Sequence, residues 1–134
     1  DYVEVTSSVS VTATTAATAT TIITAAPFTP NGTDSYRVVF ECPDVTVAAN
    51  AGGNACVFHL YDGVTNLGRI ANASTGGASA VNVPVMGSRR LIPTNASHTY
   101  SVRAHRTNAI CTAGAGAGGA DVLFPITLRV VRLP

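Results

Sequence analysis

The histidines and cysteines of this chain are the residues best suited to metal binding or nucleophilic catalysis, and there are three of each. His59 and His105 fall on the strand face opposite the apolar residues of their strands, so we expect them to point outward or into a subunit contact. The cysteines lack the CxxC spacing of zinc-type clusters. The sequence therefore predicts no metal site and no cofactor. It also shows no third group to orient a catalytic Cys–His pair.

The three cysteines, Cys42, Cys56 and Cys111, are expected to be single thiols buried in strands, because free cysteine behaves as a small apolar residue. No obligatory disulfide is predicted. A bridge between Cys42 and Cys56, which flank one strand connection, is the alternative, and it would need an oxidising compartment.

The seven carboxylates offer little for acid–base catalysis. Most lie in predicted turns, where Asp commonly hydrogen-bonds to nearby backbone. Glu41 and Asp44 would be a candidate glycosidase pair, but a predicted bend at Pro43 leaves their separation undefined. The glycine-rich run 114–119 fits GxGxxG, yet no helix pattern follows it, so we interpret it as a loop. We predict no catalytic residue and no enzymatic activity.

Arginine supplies all eight basic side chains, and lysine is absent. P-loop phosphate binding and Schiff-base chemistry both need a lysine, so these functions are excluded. The net charge is +1 and the arginines are scattered, whereas a nucleic-acid surface needs a basic stripe. No run approaches the roughly 20 apolar residues that span a bilayer. We expect neither a nucleic-acid nor a membrane partner.

Charged residues make up only 11% of the chain, less than half of the roughly 25% typical of soluble domains. Such a sparse charge suits a protein that buries outer surface in an assembly. The codon bias of a high-GC genome would also produce part of this composition, and the sequence does not separate the two explanations.

Alternation of apolar and polar residues runs through the chain, and no helical period occurs. The strongest example is the hairpin 57–74, whose two alternating runs meet at Asp62 and Gly63, a dipeptide suited to a tight turn. The sequence predicts an all-β fold in a single domain, 1–134: an antiparallel β-sandwich, jelly-roll-like, with about eight to ten strands. The predicted strands are 2–13, 20–25, 36–48, 55–61, 66–73, 79–87, 98–114 and 121–133.

Prolines and one apolar run give more local expectations. Pro43 should mark a bulge or a sheet crossing, and Pro84 should lie in an edge strand. Residues 88–97 should form a crossover connection. The closing strand should be central, with Leu128 facing the core, and should pair with an early strand.

Four motifs follow one another along the chain: an LYDG-like turn at 60–63, an LGR at 67–69, an HTY-V-A strand at 98–104 and a terminal I-x-L/V strand at 126–130. Through these motifs, residues 36–133 resemble a domain of bacteriophage virion proteins, especially those of phages of high-GC hosts. The strand order and long final strand are also similar to the tumour necrosis factor and complement globular-head jelly rolls, which form homotrimers through one sheet of each subunit. Residues 1–34 would then add outer strands or an attachment arm.

The resemblance implies a non-enzymatic structural protein of a virion surface, a trimeric jelly-roll module in capsid decoration or in a fibre. Its partners would be two further copies and other virion proteins, such as a major capsid or fibre-shaft protein, and assembly would take place in the host cytoplasm. The alternative is a host-surface receptor or carbohydrate-binding module of a tail fibre, although tryptophan is absent and aromatic residues make up only 6%. The expected subunit or ligand contacts are Tyr36, His59, Tyr61, Tyr100 and His105.

Overall fold

Ten β-strands and one short 3₁₀ helix, Ala16–Thr18, make up the regular structure in a computed structural model that describes residues 1–134. All strand pairs are antiparallel. The strands are β1 (Tyr2–Val5), β2 (Val9–Val11), β3 (Thr20–Thr24), β4 (Tyr36–Val47), β5 (Asn54–Asp62), β6 (Thr65–Thr75), β7 (Val81–Leu91), β8 (Tyr100–Arg106), β9 (Cys111–Gly114) and β10 (Ile126–Arg132).

The strands form two sheets that pack face to face as a sandwich. The four-stranded sheet has the order β3–β8–β5–β6. In the six-stranded sheet β4 pairs with β7 on one edge and with β10 and β9 on the other. β1 flanks β10, and β2 flanks β9. The predicted all-β, jelly-roll-like antiparallel sandwich is therefore confirmed.

The core lies between the sheets and is built from the alternate residues of each strand that face inward. In β4 these residues include Val38, Phe40 and Cys42, which are all buried. Phe58 of β5 packs against them from the other sheet, with its ring centroid 5.4 Å from that of Phe40. Full burial of a large apolar side chain contributes roughly 1.5–3 kcal/mol. The apolar residues whose alternation predicts the strands are thus also the residues whose burial contributes most to stability.

The closing strand lies inside its sheet, as predicted. β10 pairs with β1 on one side and with β4 on the other. Leu128 is fully buried and is the register partner of both Val3 and Phe40. The strand begins only at Ile126, so residues 121–125, which were included in the predicted strand, belong to the preceding loop.

Strand β4 changes partner at Pro43. Its pairing with β10 reaches Glu41, and its pairing with β9 begins at Asp44. The register against β7 shifts between Cys42 and Val45, which places the predicted bulge at this proline. One long strand thereby holds two short ones end to end along the same edge.

The predicted tight turn also forms. Asp62 and Thr65 are paired at the end of the β5–β6 hairpin, which leaves Gly63 and Val64 as the loop. Gly63 has a φ of 55°, a left-handed conformation that glycine adopts without steric cost.

Three further segment predictions are wrong in their boundaries. Residues 88–91, expected in a crossover connection, extend β7, because this strand pairs only with β4 and its polar side chains remain in solvent. Pro84 does lie in this edge strand, as predicted. The run 98–114 divides at a turn into β8 and β9, which belong to different sheets. The run 2–13 divides into β1 and β2.

The cysteine prediction is wrong for two residues of three. Cys56 of β5 and Cys111 of β9 form a disulfide that links the two sheets, with their Cα atoms 6.0 Å apart. Cys42 is a free, buried thiol, as expected, and its burial raises its pKa to about 11. The alternative bridge from Cys42 to Cys56 does not form. The true partners face each other across the core, a relationship that their sequence spacing does not reveal.

Candidate functional site

The outer face of the six-stranded sheet carries an apolar groove of about 670 Å³. Three exposed apolar side chains form part of its walls, and three prolines, Pro43, Pro84 and Pro125, also line it. Met86 is 70% exposed, Phe124 is 72% exposed and Tyr2 is 55% exposed. We refer to this surface as the apolar groove, defined by Tyr2, Glu4, Glu41, Pro43, Pro84, Met86, Phe124, Pro125 and Thr127.

The strand order of the sheet positions these side chains. β1, β10, β4 and β7 lie side by side, so Tyr2, Thr127, Glu41 and Met86 project from neighbouring strands onto one face. Sequence reasoning did not single out Met86 or Tyr2, because each becomes part of a surface only when four distant segments come together.

The glycine-rich segment positions the remaining wall of the apolar groove. Apart from Gly114, which ends β9, it lies in the loop between β9 and β10, in agreement with its interpretation as a loop. Gly116 donates its N–H to the carbonyl of Phe124 at 3.2 Å, and Gly118 donates to Leu123 at 2.9 Å. A Cβ at Gly116 would crowd the Leu123 carbonyl. The absence of side chains thus lets the loop fold back on itself and present Phe124.

Carboxylates line one part of the apolar groove. Glu41 accepts hydrogen bonds from Arg129 at 2.9 Å and from the Thr127 hydroxyl at 3.2 Å. The Tyr2 hydroxyl donates to Glu4, and this hydrogen bond is the main reason why the pKa of Tyr2 is raised. Asp44, the other member of the candidate glycosidase pair, contacts Thr46 instead. The two acids of that pair therefore have separate partners.

The outer face of the four-stranded sheet carries a polar cluster, which we call the histidine face: His59, Tyr61, Arg69, Arg103 and His105. The imidazole rings of His59 and His105 stack with centroids 5.2 Å apart. His59 is the register partner of Arg69 on β6 and of Arg103 on β8. Both histidines lie on the outer face of the sheet, in line with the expectation that they point outward or into a subunit contact, and the subunit contact stays a prediction.

Desolvation is the main reason why the pKa values of both imidazoles are lowered. For His59 the neighbouring His105 and then Arg69 add to the shift, and for His105 Arg69 does so. Asn66 forms a hydrogen bond with His59 Nδ1 at 3.3 Å. The neutral form of each ring is therefore favoured in the absence of a ligand.

Tyr61 lies on the same face, but its ring is covered. The Arg103 guanidinium carbon sits 4.3 Å from the ring centroid, and Arg103 also donates to the Gly63 carbonyl at 2.6 Å. The tyrosine hydroxyl donates to the Ala16 carbonyl. Tyr61 is only 5% exposed, so it supplies no open stacking surface.

Tyr36 and Tyr100 are not on the histidine face. Both pack around Phe28, with ring centroids 5.3 Å and 5.8 Å from it. Tyr100 is only 1% exposed, and burial, assisted by Asp62, raises its pKa to about 12. Its side chain is engaged inside the protomer and is not available to a subunit or a ligand, contrary to the expectation from the sequence.

A His–Asp pair at the end of β5 was missed in the sequence. Asp62 contacts Nδ1 of His98 and accepts the Thr99 N–H at 3.1 Å. Nε2 of His98 lies 3.2 Å from both the hydroxyl and the carbonyl oxygen of Thr94. The hydroxyl can pair with either tautomer of the ring, whereas the carbonyl oxygen can only accept a hydrogen bond. The network thus fastens residues 94–99 to the hairpin.

The structure contains no group of three or more His, Cys, Asp or Glu side chains that are close enough together to hold a metal ion. The structure contains no helix with the length and apolar character that crossing a membrane demands.

No protein-family model matches the chain, and no curated protein sequence matches it. Function must therefore be argued from the two surfaces themselves.

Proposed function

We propose that the chain is a non-enzymatic structural protein of a bacteriophage virion surface, a trimeric jelly-roll module acting in capsid decoration or as a fibre component. The observation that carries the assembly role is the apolar groove. Met86 and Tyr2 of the sheet and Phe124 of the adjoining loop are exposed around one groove, and clustered apolar exposure is typical of surfaces that bind other proteins.

The strand order supports the same proposal. β1–β10–β4–β7 faces β3–β8–β5–β6, so eight strands form the two four-stranded layers of a jelly roll. In the trimers that the sequence resembles, one sheet of each subunit forms the contact. Here the six-stranded sheet is the one with exposed apolar side chains. Two further copies of the chain are therefore the occupants we assign to the apolar groove, and a capsid or fibre-shaft protein would bind the assembled trimer.

Light scattering after size-exclusion chromatography tests the trimer. We expect a mass near three chains at micromolar concentration. The double variant Met86→Ser, Phe124→Ser should shift the mass toward one chain because it removes apolar area from the contact. Val64→Ser is the matched control, because Val64 is 90% exposed at the hairpin tip, outside the apolar groove. A monomeric wild-type protein, or equal effects of the two variants, would contradict the proposal.

The disulfide bears on where the protein matures. Cytosolic thiols are normally kept reduced, so a chain assembled in a host cytoplasm would close the Cys56–Cys111 bridge only after release of the particle. Thiol labelling of particles before and after lysis would test this order. The copy number of the chain in purified particles would separate decoration from a fibre component.

A receptor- or carbohydrate-binding module of a tail fibre is the second candidate. The volume of the apolar groove falls within the roughly 300–1,000 Å³ of small-molecule sites, and Tyr2 and Phe124 are its exposed aromatic rings. Calorimetric titration with neutral oligosaccharides should then give heat that Phe124→Ser abolishes. Absence of heat from such sugars would leave assembly as the role of the apolar groove.

A further inference from the structure

The histidine face lies on the opposite side of the sandwich from the apolar groove, and its charges are of one sign. Arg69 and Arg103 flank His59 on the two neighbouring strands. Asp62 is the only carboxylate in the strands of this sheet. It is engaged by His98 and by the Thr99 N–H at the far end of β5. No acidic side chain of the sheet therefore neutralises the histidine face.

Several polar groups of this face have no partner within the chain. His59 Nε2 and His105 Nδ1 are buried nitrogens without a hydrogen bond. Arg69 is exposed and forms no ion pair or side-chain hydrogen bond, whereas Arg103 is held by the Gly63 carbonyl and the Tyr61 ring. Unpaired polar groups are costly when they are shielded from water. Arg69 is exposed and open to a ligand, whereas the two shielded nitrogens would need a rotation of their rings to reach it.

We propose that His59, His105 and Arg69 form an oxyanion-binding site on the outer face of the four-stranded sheet, which takes a sulfate, phosphate or carboxylate group carried by an acidic polysaccharide. A guanidinium with free N–H groups is well suited to such groups, because it donates paired hydrogen bonds to their oxygens. The two imidazoles add donors that become charged when the ligand binds. This site does not depend on the assembly role of the apolar groove.

Charge decides between an anion and a metal cation. Arg69 and Arg103 repel a cation at the same imidazoles, and no third metal-ligating side chain is near. The extent of the positive surface argues against a nucleic acid, which needs a basic stripe along many phosphates. The covered ring of Tyr61 removes the stacking contact that a neutral sugar would use. A single oxyanion fits all three observations.

Binding at this site takes up protons. In the free protein the pKa values of both histidines are lowered, mainly by desolvation and to a smaller extent by the charge of Arg69. A bound oxyanion reverses this influence, because a nearby negative charge favours the charged imidazole. If the bound oxyanion raises the pKa of a histidine by about one unit, the protein binds that oxyanion about tenfold more tightly at a pH below both pKa values than at a pH above them. This factor applies to each of the two histidines.

The test is an NMR titration of the three histidines in sodium sulfate and in sodium chloride of matched ionic strength. Sulfate is the probe because its own charge does not change in this pH range. We expect the midpoints of His59 and His105 to rise by about one pH unit in sulfate. His98, which is paired with Asp62 elsewhere, should not move and is the internal control. Unchanged midpoints, or equal shifts of all three, would overturn the proposal.

Two variants and three sugars complete the experiment. Arg69→Gln should abolish the sulfate-induced shift, whereas Arg37→Gln, an exposed arginine on the six-stranded sheet, should leave it intact. Sulfated or uronate-rich oligosaccharides should bind at least tenfold more tightly than sulfate, and a neutral oligosaccharide should not bind. Equal affinity for the acidic sugars and for sulfate would overturn the assignment to a polysaccharide. Binding of the neutral sugar with the same shifts would overturn the oxyanion site.

Discussion

Gly87 of β7 lies directly against the backbone carbonyl of Ile70 in β6, so closely that a Cβ at position 87 would collide with it. The two strands are the edge strands of different sheets. Arg89 of β7 also donates to the Leu67 carbonyl of β6. The sandwich is thus closed along this side by direct contact between its two edges, and unpaired edges that would invite other strands are covered.

Gly87→Ala should lower the free energy of unfolding by about 1–3 kcal/mol, because the added methyl group must push the two edges apart. Gly76→Ala is the matched control: a Cβ there meets nothing within 4 Å, so its effect should stay within about 0.5 kcal/mol. Urea titration of both variants checks the difference. If the two variants had equal urea midpoints, the contact between β6 and β7 would tolerate the added methyl group, contrary to this prediction.

Leu128→Ala should cost roughly 2–5 kcal/mol, through lost transfer free energy and an unfilled cavity, because Leu128 is fully buried between the sheets. Thr127→Ala on the opposite face, in the apolar groove, removes one hydrogen bond to Glu41 and should cost less than about 1 kcal/mol in the dissociated monomer. Denaturant titration at a concentration where the oligomeric state is known compares the two. Small and equal effects would contradict the burial of β10.

Reduction of the Cys56–Cys111 bridge should lower the free energy of unfolding by about 4 kcal/mol, the loop-closure value for its sequence separation of 55 residues. Urea titration with and without a reductant measures this change. Cys42→Ala should retain the effect of the reductant, whereas Cys56→Ala combined with Cys111→Ala should lose it. A wild-type midpoint that is the same under both conditions would show that the bridge does not stabilise the fold.

Acidification should destabilise the protein between about pH 7 and 5.5, where histidines titrate and carboxylates largely do not. The pKa values of His59 and His105 are lowered from the ordinary 6.5 in the folded chain, so the unfolded chain binds more protons in this window. Their contribution to stability is present above pH 6.5 and is lost as the pH falls through the lowered pKa values.

The double variant His59→Gln, His105→Gln should flatten this pH profile, and sulfate should reduce its slope in the wild-type protein. Thermal melts at closely spaced pH values check both expectations. A melting temperature that rises on acidification in this window would show that the sign is wrong.

Local patterns predicted the features that depend on neighbouring residues. The alternation around Leu128 indicated its burial, Pro43 indicated the bulge, and Asp62 with Gly63 indicated the turn. Each of these depends on backbone preferences or on side-chain periodicity within a few residues.

Features that join distant segments were not predictable from the sequence. Cys111 meets Cys56 only because β9 and β5 face each other across the core. Asp62 meets His98 only because the loop that connects β7 with β8 folds over the end of β5. Phe124, which was placed in a strand, joins the apolar groove because the glycine loop folds back toward it. Periodicity carries no information about which strands become neighbours.

The disulfide also sets the path of a mechanical load. Tension applied between residues 1 and 134 passes from Cys56 to Cys111 through the covalent bond, so β6, β7 and β8 carry none of it. About 80 residues remain to be pulled out, which at about 3.4 Å per residue gives an extension near 270 Å, compared with about 460 Å for the reduced chain. In an oxidised chain the histidine face therefore lies largely on a segment that tension cannot stretch.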